Sequence, residues 1–235
     1  MKEQLSYNLG RESSFSYSCN RCMKCCYSKR IMLTPYEIIR LARNLRITTR
    51  EFISQFTEAG GTILRFRSED GGCSLLSKNG CAVHADRPAA CRIYPLGGFF
   101  QLDGQETFAL LTPHPESLGV YGTPATVKPG DTVASFLESQ GIEPYHRANR
   151  KYVRLLTILL PLITAYISNQ EESADTADLN CSQEEIMKWF DVDAVVETYS
   201  SKHDIPVPAD LDEQVDLHVR ALEEWFSQAA QRDDT

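Results

Sequence analysis

Seven of the chain's eight cysteines lie between Cys19 and Cys91, and four of them fall within the eight residues Cys19–Cys26. This C-x-x-C-x-x-C-C run is too dense for independent disulfides. A trans peptide separates the adjacent Cys25 and Cys26 and opposes an S–S bond between them. Thiolates at this spacing can instead turn toward a common centre, as they do in zinc knuckles and iron–sulfur loops. The motif therefore predicts a metal site.

A second group of cysteines follows at wider spacing. Seven thiols exceed the four that one tetrahedral zinc ion or one four-iron cluster takes from a protein. Two zinc ions that share thiolates would use six or seven, and one cluster with three spare thiols fits the count equally well. Soft thiolate donors favour zinc, copper(I) or iron–sulfur over magnesium or calcium, and spacing alone does not choose among the first three. The expected metal ligands are Cys19, Cys22, Cys25, Cys26, Cys73, Cys81 and Cys91.

Three other residues bear on the ligand set. Imidazole suits zinc, so His84 is a further candidate ligand, although a surface or hydrogen-bonded histidine is the simpler expectation. His114 is a weaker candidate of the same kind. Cys181 stands far from the other cysteines in the sequence, and an isolated free cysteine usually fills a hydrophobic core.

Charge is divided unevenly along the chain. Residues 1–100 hold 15 Lys and Arg against 8 Asp and Glu, whereas residues 101–235 hold 9 against 24. A basic half can bind nucleic acid. Arginine and lysine beside a thiolate site also lower thiolate pKa and offset its negative charge, and this local compensation is the favoured interpretation. Arg87 and Arg92 are expected to offset the thiolate charge, or to hold the Cys81–Cys91 loop through hydrogen bonds to carbonyls.

Size and hydropathy indicate a cytoplasmic globular protein without a membrane segment. The first residues contain no apolar core of a secretory signal. The longest apolar run, Leu155–Ile167, has 13 residues and includes Pro161, which is short of the roughly 20 residues that span a bilayer. In a reducing compartment, clustered cysteines indicate metal or redox chemistry more often than structural disulfides.

Helix signals interrupt the cysteine-rich half. Capping boxes that begin at Thr34 and Thr48 predict two helices between the cysteine groups. A short strand is predicted at Ile63–Arg67, and Asn79-Gly80 predicts a hairpin. Further extended pieces are expected between Arg92 and Leu111.

Residues 112–130 are rich in Pro, Gly and Thr and predict a boundary. The expected fold class is α+β. Residues 1–125 would be a loop-rich polycysteine metal-binding module with short strands and inserted helices, and residues 126–235 a mainly helical region packed on it. Asp131 is expected to cap a helix that runs through Gln140. Further helices are predicted at residues 144–167 and 209–231, and after a capping box at residues 182–185.

The second cysteine group lies in a longer pattern, Cys81-Ala-Val-His84-Ala-Asp-Arg87-Pro88-Ala-Ala-Cys91-Arg92-Ile-Tyr94-Pro95. Together with the C-x-x-C-x-x-C-C run, this pattern resembles the YkgJ-like cysteine cluster family. The resemblance covers about Cys19 to Leu96, roughly a third of the chain. It differs from the family at His84, where an aromatic residue is usual, and near His114, where many members have an eighth cysteine.

The resemblance implies a domain that chelates zinc or iron, with an iron–sulfur cluster or zinc as cofactor. Flagellin lysine N-methylase carries a similar cluster, so an iron–sulfur-dependent modifying enzyme is an alternative. A metal carrier or thiol redox sensor is another. The chain contains no G-x-G-x-x-G, P-loop or H-E-x-x-H motif, so catalysis stays open, and no sequence feature identifies a substrate or a protein partner.

Overall fold

The computed structural model describes residues 6–18, 22–101, 105–111, 120–121, 130–155 and 189–232. The chain divides into two compact units, and each unit is built from two separate segments. The first unit comprises Met1–Met32 and Leu64–His146, and the second comprises Leu33–Ile63 and Arg147–Thr235. The boundary predicted near residue 125 falls outside the described residues and stays a prediction.

The elements confirm the α+β class. In chain order, the first are β1 (Tyr17–Ser18), α1 (Pro35–Leu45), α2 (Thr49–Phe56), β2 (Thr57–Glu58), β3 (Ile63–Leu64), β4 (Leu76–Ser77) and β5 (Gly80–Cys81). There follow α3 (Ala89–Ile93), β6 (Leu96–Phe100), β7 (Glu106–Leu110), β8 (Val120–Tyr121), α4 (Val133–Ser139), the helix α5 at residues 143–155, α6 (Val192–His203) and α7 (Leu211–Arg232). Short 3-10 turns occupy Lys24–Cys26, Ala59–Gly61 and His84–Asp86.

Short antiparallel pairs make up the β structure. In the first unit β1 pairs with β8, β4 with β5, and β6 with β7. The β6–β7 hairpin is the most extensive of these, with Leu96 opposite Leu110 and Phe100 opposite Glu106. Leu96 and Phe108 are buried, so this hairpin contributes core to the unit. The predicted extended pieces around Gly97 are confirmed, whereas the short helix α3 was not predicted.

The two predicted capping boxes are present. Thr34 Oγ1 accepts from the backbone N–H of Glu37 at 3.4 Å, and the Thr34 N–H donates to Glu37 Oε2 at 2.7 Å. Thr48 and Glu51 repeat the arrangement at 3.2 and 2.8 Å. Each box satisfies two backbone N–H groups that a helix start leaves without an intrahelical partner. The helices α1 and α2 therefore begin where the sequence predicts.

These two helices are inserted between the cysteine groups in the sequence and pack with the C-terminal helices. Arg43 Nη1 donates to Asp193 Oδ2 at 3.2 Å. At the start of α2, the Thr49 N–H donates to Asp193 Oδ2 at 2.8 Å, and Thr49 Oγ1 donates to Asp191 Oδ1 at 2.7 Å. Two carboxylates thus satisfy a helix N-terminus, where negative charge is favourable, and the apolar face of α1 is buried inside the second unit.

Two helix boundaries differ from the predictions. Thr132, not Asp131, is the N-cap of α4, because its hydroxyl accepts from the Ser135 N–H whereas the Asp131 carboxylate accepts from Ser16. The last helix is α7 at Leu211–Arg232, close to the predicted 209–231. The capping box at 182–185 and residues 156–167 lie outside the described residues. Within the described part of the chain, no helix combines the length and apolar character needed to cross a membrane.

Candidate metal centre

The first cysteine group is shaped by a tight turn. Met23 adopts a left-handed conformation with φ of 62°, and the 3-10 turn Lys24–Cys26 follows, closed by the Cys26 N–H donating to the Met23 carbonyl at 2.8 Å. The side chains of Cys25 and Cys26 are hydrogen-bonded to each other. Cys22 lies just before the turn, and all three cysteines are half-buried and form no disulfide among the described residues. Cys19 lies outside the described residues.

Backbone hydrogen bonds join this turn to the second cysteine group. The Cys73 N–H donates to the Cys26 carbonyl at 2.9 Å, and the Ser28 N–H donates to the Gly71 carbonyl at 2.8 Å. Between these bonds, Tyr27 forms an antiparallel bridge with Gly72. The two cysteine groups are therefore held side by side by the main chain, independently of any thiol interaction.

An arginine–aspartate pair organises the loop before Cys73. Arg67 Nη1 donates to the carbonyls of Cys73 and Leu76 at 3.1 and 3.0 Å, and Arg67 Nη2 lies 2.8 Å from Asp70 Oδ2. Hydrogen bonds from Arg67, and then from the Gly72 N–H, lower the pKa of Asp70 to about 2. A Cβ atom on Gly72 would lie 2.3 Å from Arg67 Nη2, so the guanidinium needs glycine there.

The Arg67–Asp70 pair was missed by the sequence analysis. The signal that would have found it is the spacing of arginine and aspartate three residues apart directly before Gly71-Gly72. Gly71 has φ of 70°, a conformation that favours glycine. The turn at Asp70–Gly72 therefore supports Cys73 through Arg67.

Cys81 is positioned by the predicted hairpin. In the β4–β5 pair, Leu76 lies opposite Cys81 and Ser77 opposite Gly80. The tip is Lys78-Asn79, one residue earlier than the Asn-Gly pair that predicted it, and Gly80 takes the positive φ of 102°. Ser77 Oγ closes the tip by donating to the Gly80 carbonyl at 2.8 Å.

Arg87 and Arg92 hold the segment between Cys81 and Cys91, as predicted. Arg87 Nη1 donates to the His84 carbonyl at 2.8 Å. Arg92 donates to the carbonyls of Ala85, Arg87 and Gln140, the last two at 3.1 and 2.8 Å. Its guanidinium also lies 4.8 Å from the centre of the Tyr145 ring, within the range of a cation–π contact. The Arg-Pro-x-x-Cys-Arg motif thus fixes the loop and the short helix that carries Cys91.

Electrostatic interactions connect thiols of the two groups. The hydrogen bond from Cys26 lowers the pKa of Cys25 to about 7, with burial opposing and the charges of Lys29 and Arg87 assisting. The same hydrogen bond and burial raise the pKa of Cys26, and negative charge at Cys25, Cys91 and Cys81 raises it further. Burial is also the main cause that raises the pKa of Cys73 and Cys81.

Five of the described thiols therefore interact electrostatically. Negative charge at Cys25 raises the pKa of Cys81, and negative charge at Cys81 raises the pKa of Cys73. Arg67, Lys29 and Arg87 contribute positive charge to individual thiols, as the charge-compensation interpretation expects. Both sequence groups contribute members, namely Cys25, Cys26, Cys73, Cys81 and Cys91.

Close ligand geometry is not present among the described residues. No three His, Cys, Asp or Glu side chains there are arranged to hold a metal ion. A metal held by these thiols alone would require the sulfurs to draw together. The His84 side chain is exposed on a 3-10 turn, whereas Cys19, His114 and Cys181 lie outside the described residues.

Comparison with known proteins identifies this region. Residues 18–111 match the model of the CxxCxxCC family, described as a "putative zinc- or iron-chelating domain". This part of the chain is similar to the CxxCxxCC domain over the matched residues 18–111. The match confirms the family resemblance found from the cysteine pattern and extends it through β7. No curated protein and no solved structure matches the chain.

The chemistry of the CxxCxxCC domain suits a soft metal centre. Its described cysteines form no disulfide with one another, and thiolate is the donor that zinc and iron–sulfur clusters share. Cationic side chains next to the thiols favour the deprotonated, metal-binding form. The residues present therefore fit a zinc- or iron-chelating role.

Proposed function

We propose that the CxxCxxCC domain holds a resident zinc or iron–sulfur centre through clustered thiolates in the cytoplasm. The proposed ligands are drawn from Cys19, Cys22, Cys25, Cys26, Cys73, Cys81 and Cys91. The observation that supports this most is the main-chain pairing that holds the two cysteine groups side by side, through the bond from the Cys73 N–H to the Cys26 carbonyl and the bridge between Tyr27 and Gly72.

The surroundings of the thiols support a charged centre. A tetrathiolate site with Zn²⁺ or a four-iron cluster keeps a formal charge of about −2, which needs nearby positive charge. Lys29 and Arg87 act on Cys25, and Arg67 acts on Cys73. These cations come from three different loops, so the charge is offset from several sides.

A bound metal would also stabilise the fold of the first unit. Most strands there are only two residues long, and such pairs contribute little stability by themselves. A structural metal adds its binding free energy to folding. When bound, the centre would supply this cross-link and, if it is iron–sulfur, electron transfer as well. The chain's own residues position the thiols and offset their charge.

Anaerobic purification of the full chain, followed by metal analysis and a visible absorption spectrum, tests the proposal. Brown protein with iron and acid-labile sulfide would identify an iron–sulfur centre, and colourless protein with bound zinc would identify a zinc site. Protein that retains neither metal under these conditions would refute the proposal.

Cysteine variants test the ligand set. Cys25→Ser and Cys91→Ser should each lower the metal content, because hydroxyl is a poor replacement for thiolate. Cys181→Ser is the matched control and should keep it, since Cys181 lies outside residues 18–111. Equal metal content in all three variants would show that the two cysteine groups are not ligands.

The alternative functions predict different behaviour of the same centre. A metal carrier or redox sensor would give up its metal to a mild chelator or on oxidation, whereas a resident structural centre would keep it. A modifying enzyme related to flagellin lysine N-methylase would keep an iron–sulfur cluster and bind a substrate as well. Metal-exchange rates measured on the purified protein distinguish the first alternative from the proposal.

A further inference from the structure

A cavity in the second unit has no role in metal chelation. It has a volume of about 290 Å³ and lies between α6, α7 and the start of α2. Ala194, Val195 and Ala221 supply apolar lining, and Tyr199 and Trp225 supply aromatic rings. The exposed fraction of Trp225 is 50%, so a large apolar side chain stands in water at this cavity. Such a pocket, mostly apolar with a few polar groups, is typical of small-molecule sites.

Charged groups also line the cavity, and a buried carboxylate holds one of them. Arg50 Nε lies 3.0 Å from Asp191 Oδ2, and the Asp191 side chain is only 2% exposed. Asp191 is fixed in turn by Thr49 Oγ1. The bond to Asp191 uses Nε of the guanidinium, and Arg50 Nη1 and Nη2 have no protein acceptor among the described residues. The Arg50 side chain is 68% exposed. The other cation, Lys202, is paired with Glu224 at 2.6 Å.

We propose that this cavity binds a small amphipathic anion, with the apolar body against the Ala194, Val195 and Trp225 side chains and a carboxylate or sulfonate head on Arg50. A planar anion accepts two parallel hydrogen bonds from a guanidinium. Because Asp191 fixes the guanidinium, little side-chain entropy is lost when the anion binds. Both cations are paired with a carboxylate, Lys202 with Glu224 and Arg50 with Asp191. Arg50 is the group that can bind the anionic head, because its Nη1 and Nη2 have no acceptor among the described residues.

The experiment uses anilinonaphthalene sulfonate as the fluorescent probe and decanoate as a competitor, with the full-length chain. We expect saturable binding of one probe molecule, displacement by decanoate, and no displacement by decanol at the same concentration. Energy transfer from the tryptophans should accompany binding, because Trp225 lines the cavity and Trp189 packs against the cluster that contains Val195 and Ala221. Trp225→Phe should reduce this transfer without removing it. Multiple weak sites, or equal competition by decanol, would overturn the proposal.

Variants separate the cavity from general surface binding. Arg50→Lys keeps the positive charge next to Asp191 but loses the two parallel N–H donors of the guanidinium. It should weaken probe binding about tenfold, which is the effect of losing a charged hydrogen bond. Ala194→Leu should abolish binding by filling the cavity, because Ala194 is half-buried in its wall. Arg147→Gln is the control, since this exposed arginine pairs with Asp212 and does not line the cavity.

Urea unfolding of each variant shows whether it is folded. Unchanged probe affinity in folded Arg50→Lys and Ala194→Leu would overturn the proposal, as would an equal loss of affinity in Arg147→Gln.

Discussion

A buried histidine in the second unit should make its stability depend on pH. His218 is fully buried, with Nε2 at 3.0 Å from the Trp189 carbonyl and Nδ1 at 3.0 Å from the Tyr152 hydroxyl. A carbonyl can only accept, so Nε2 carries the hydrogen and Nδ1 accepts from Tyr152. Burial raises the pKa of Tyr152, which keeps that hydroxyl protonated. The site is therefore built for neutral imidazole.

The sign and size of the effect follow from the histidine pKa. Burial lowers the pKa of His218 from 6.5 to about 4, although the bond to the Trp189 carbonyl and the charge of Asp191 oppose the shift. Above pH 6.5 the His218 imidazole is neutral in both the folded and the unfolded state, so its protonation does not reduce the free energy of unfolding. As the pH falls toward 4, His218 becomes protonated in the unfolded chain but stays neutral in the folded chain, so the folded state loses stability relative to the unfolded state. The full shift corresponds to about 3 kcal/mol, of which about 2 kcal/mol is lost between about pH 7.5 and pH 5.

The assay is urea unfolding followed by tryptophan fluorescence. Both tryptophans, Trp189 and Trp225, belong to the second unit, so the signal reports that unit. His218→Gln is the comparison, because the glutamine amide donates and accepts hydrogen bonds but does not titrate in this range. All other titrating groups contribute equally to the pH dependence of the free energy of unfolding in the native chain and in His218→Gln. We expect the native chain to lose about 2 kcal/mol more than His218→Gln over this pH range, and equal losses would refute the reasoning.

Three further predictions concern the caps and loops. Thr48→Ala should lower the free energy of unfolding of the second unit by about 1 kcal/mol in the same urea assay, because the Glu51 N–H at the helix start loses the Thr48 hydroxyl as its acceptor; an unchanged midpoint would contradict this. Gly72→Ala should displace Arg67 and reduce metal content, whereas Gly10→Ala, whose added Cβ meets nothing within 4 Å, should not. Arg92→Lys should also reduce metal content, since one ammonium cannot reach three carbonyls, and full retention measured by metal analysis would count against the loop-holding role.

Local signals were the part of the fold that the sequence predicted well. The capping boxes at Thr34 and Thr48 depend on residues three apart, so the starts of α1 and α2 were correct. The hairpin at Cys81 depends on a short turn and was also found. Asp131 misled the prediction because its carboxylate binds Ser16, 115 residues away, and no local pattern reveals that partner.

At the candidate site too, contacts between residues far apart in the sequence could not be predicted. The cysteine pattern predicted the family and the thiol donors, and the family match confirmed the former. It did not reveal that Arg67 supports Cys73 or that Arg92 reaches the Gln140 carbonyl, because those contacts exist only after folding. Whether all seven cysteines ligate one centre stays a prediction.

The interleaving of the two units has a consequence for synthesis on the ribosome. Arg43 pairs with Asp193, which lies 150 residues later in the chain. At 5–20 residues per second, the α1–α2 pair emerges roughly 8–30 seconds before the residues that cover its apolar face. During that interval the second segment of the first unit, Leu64–His146, is synthesised. The buried side chains of α1 lack their partners from α6 and α7 throughout this time. We expect this nascent segment to be the point at which chaperones engage the chain during translation.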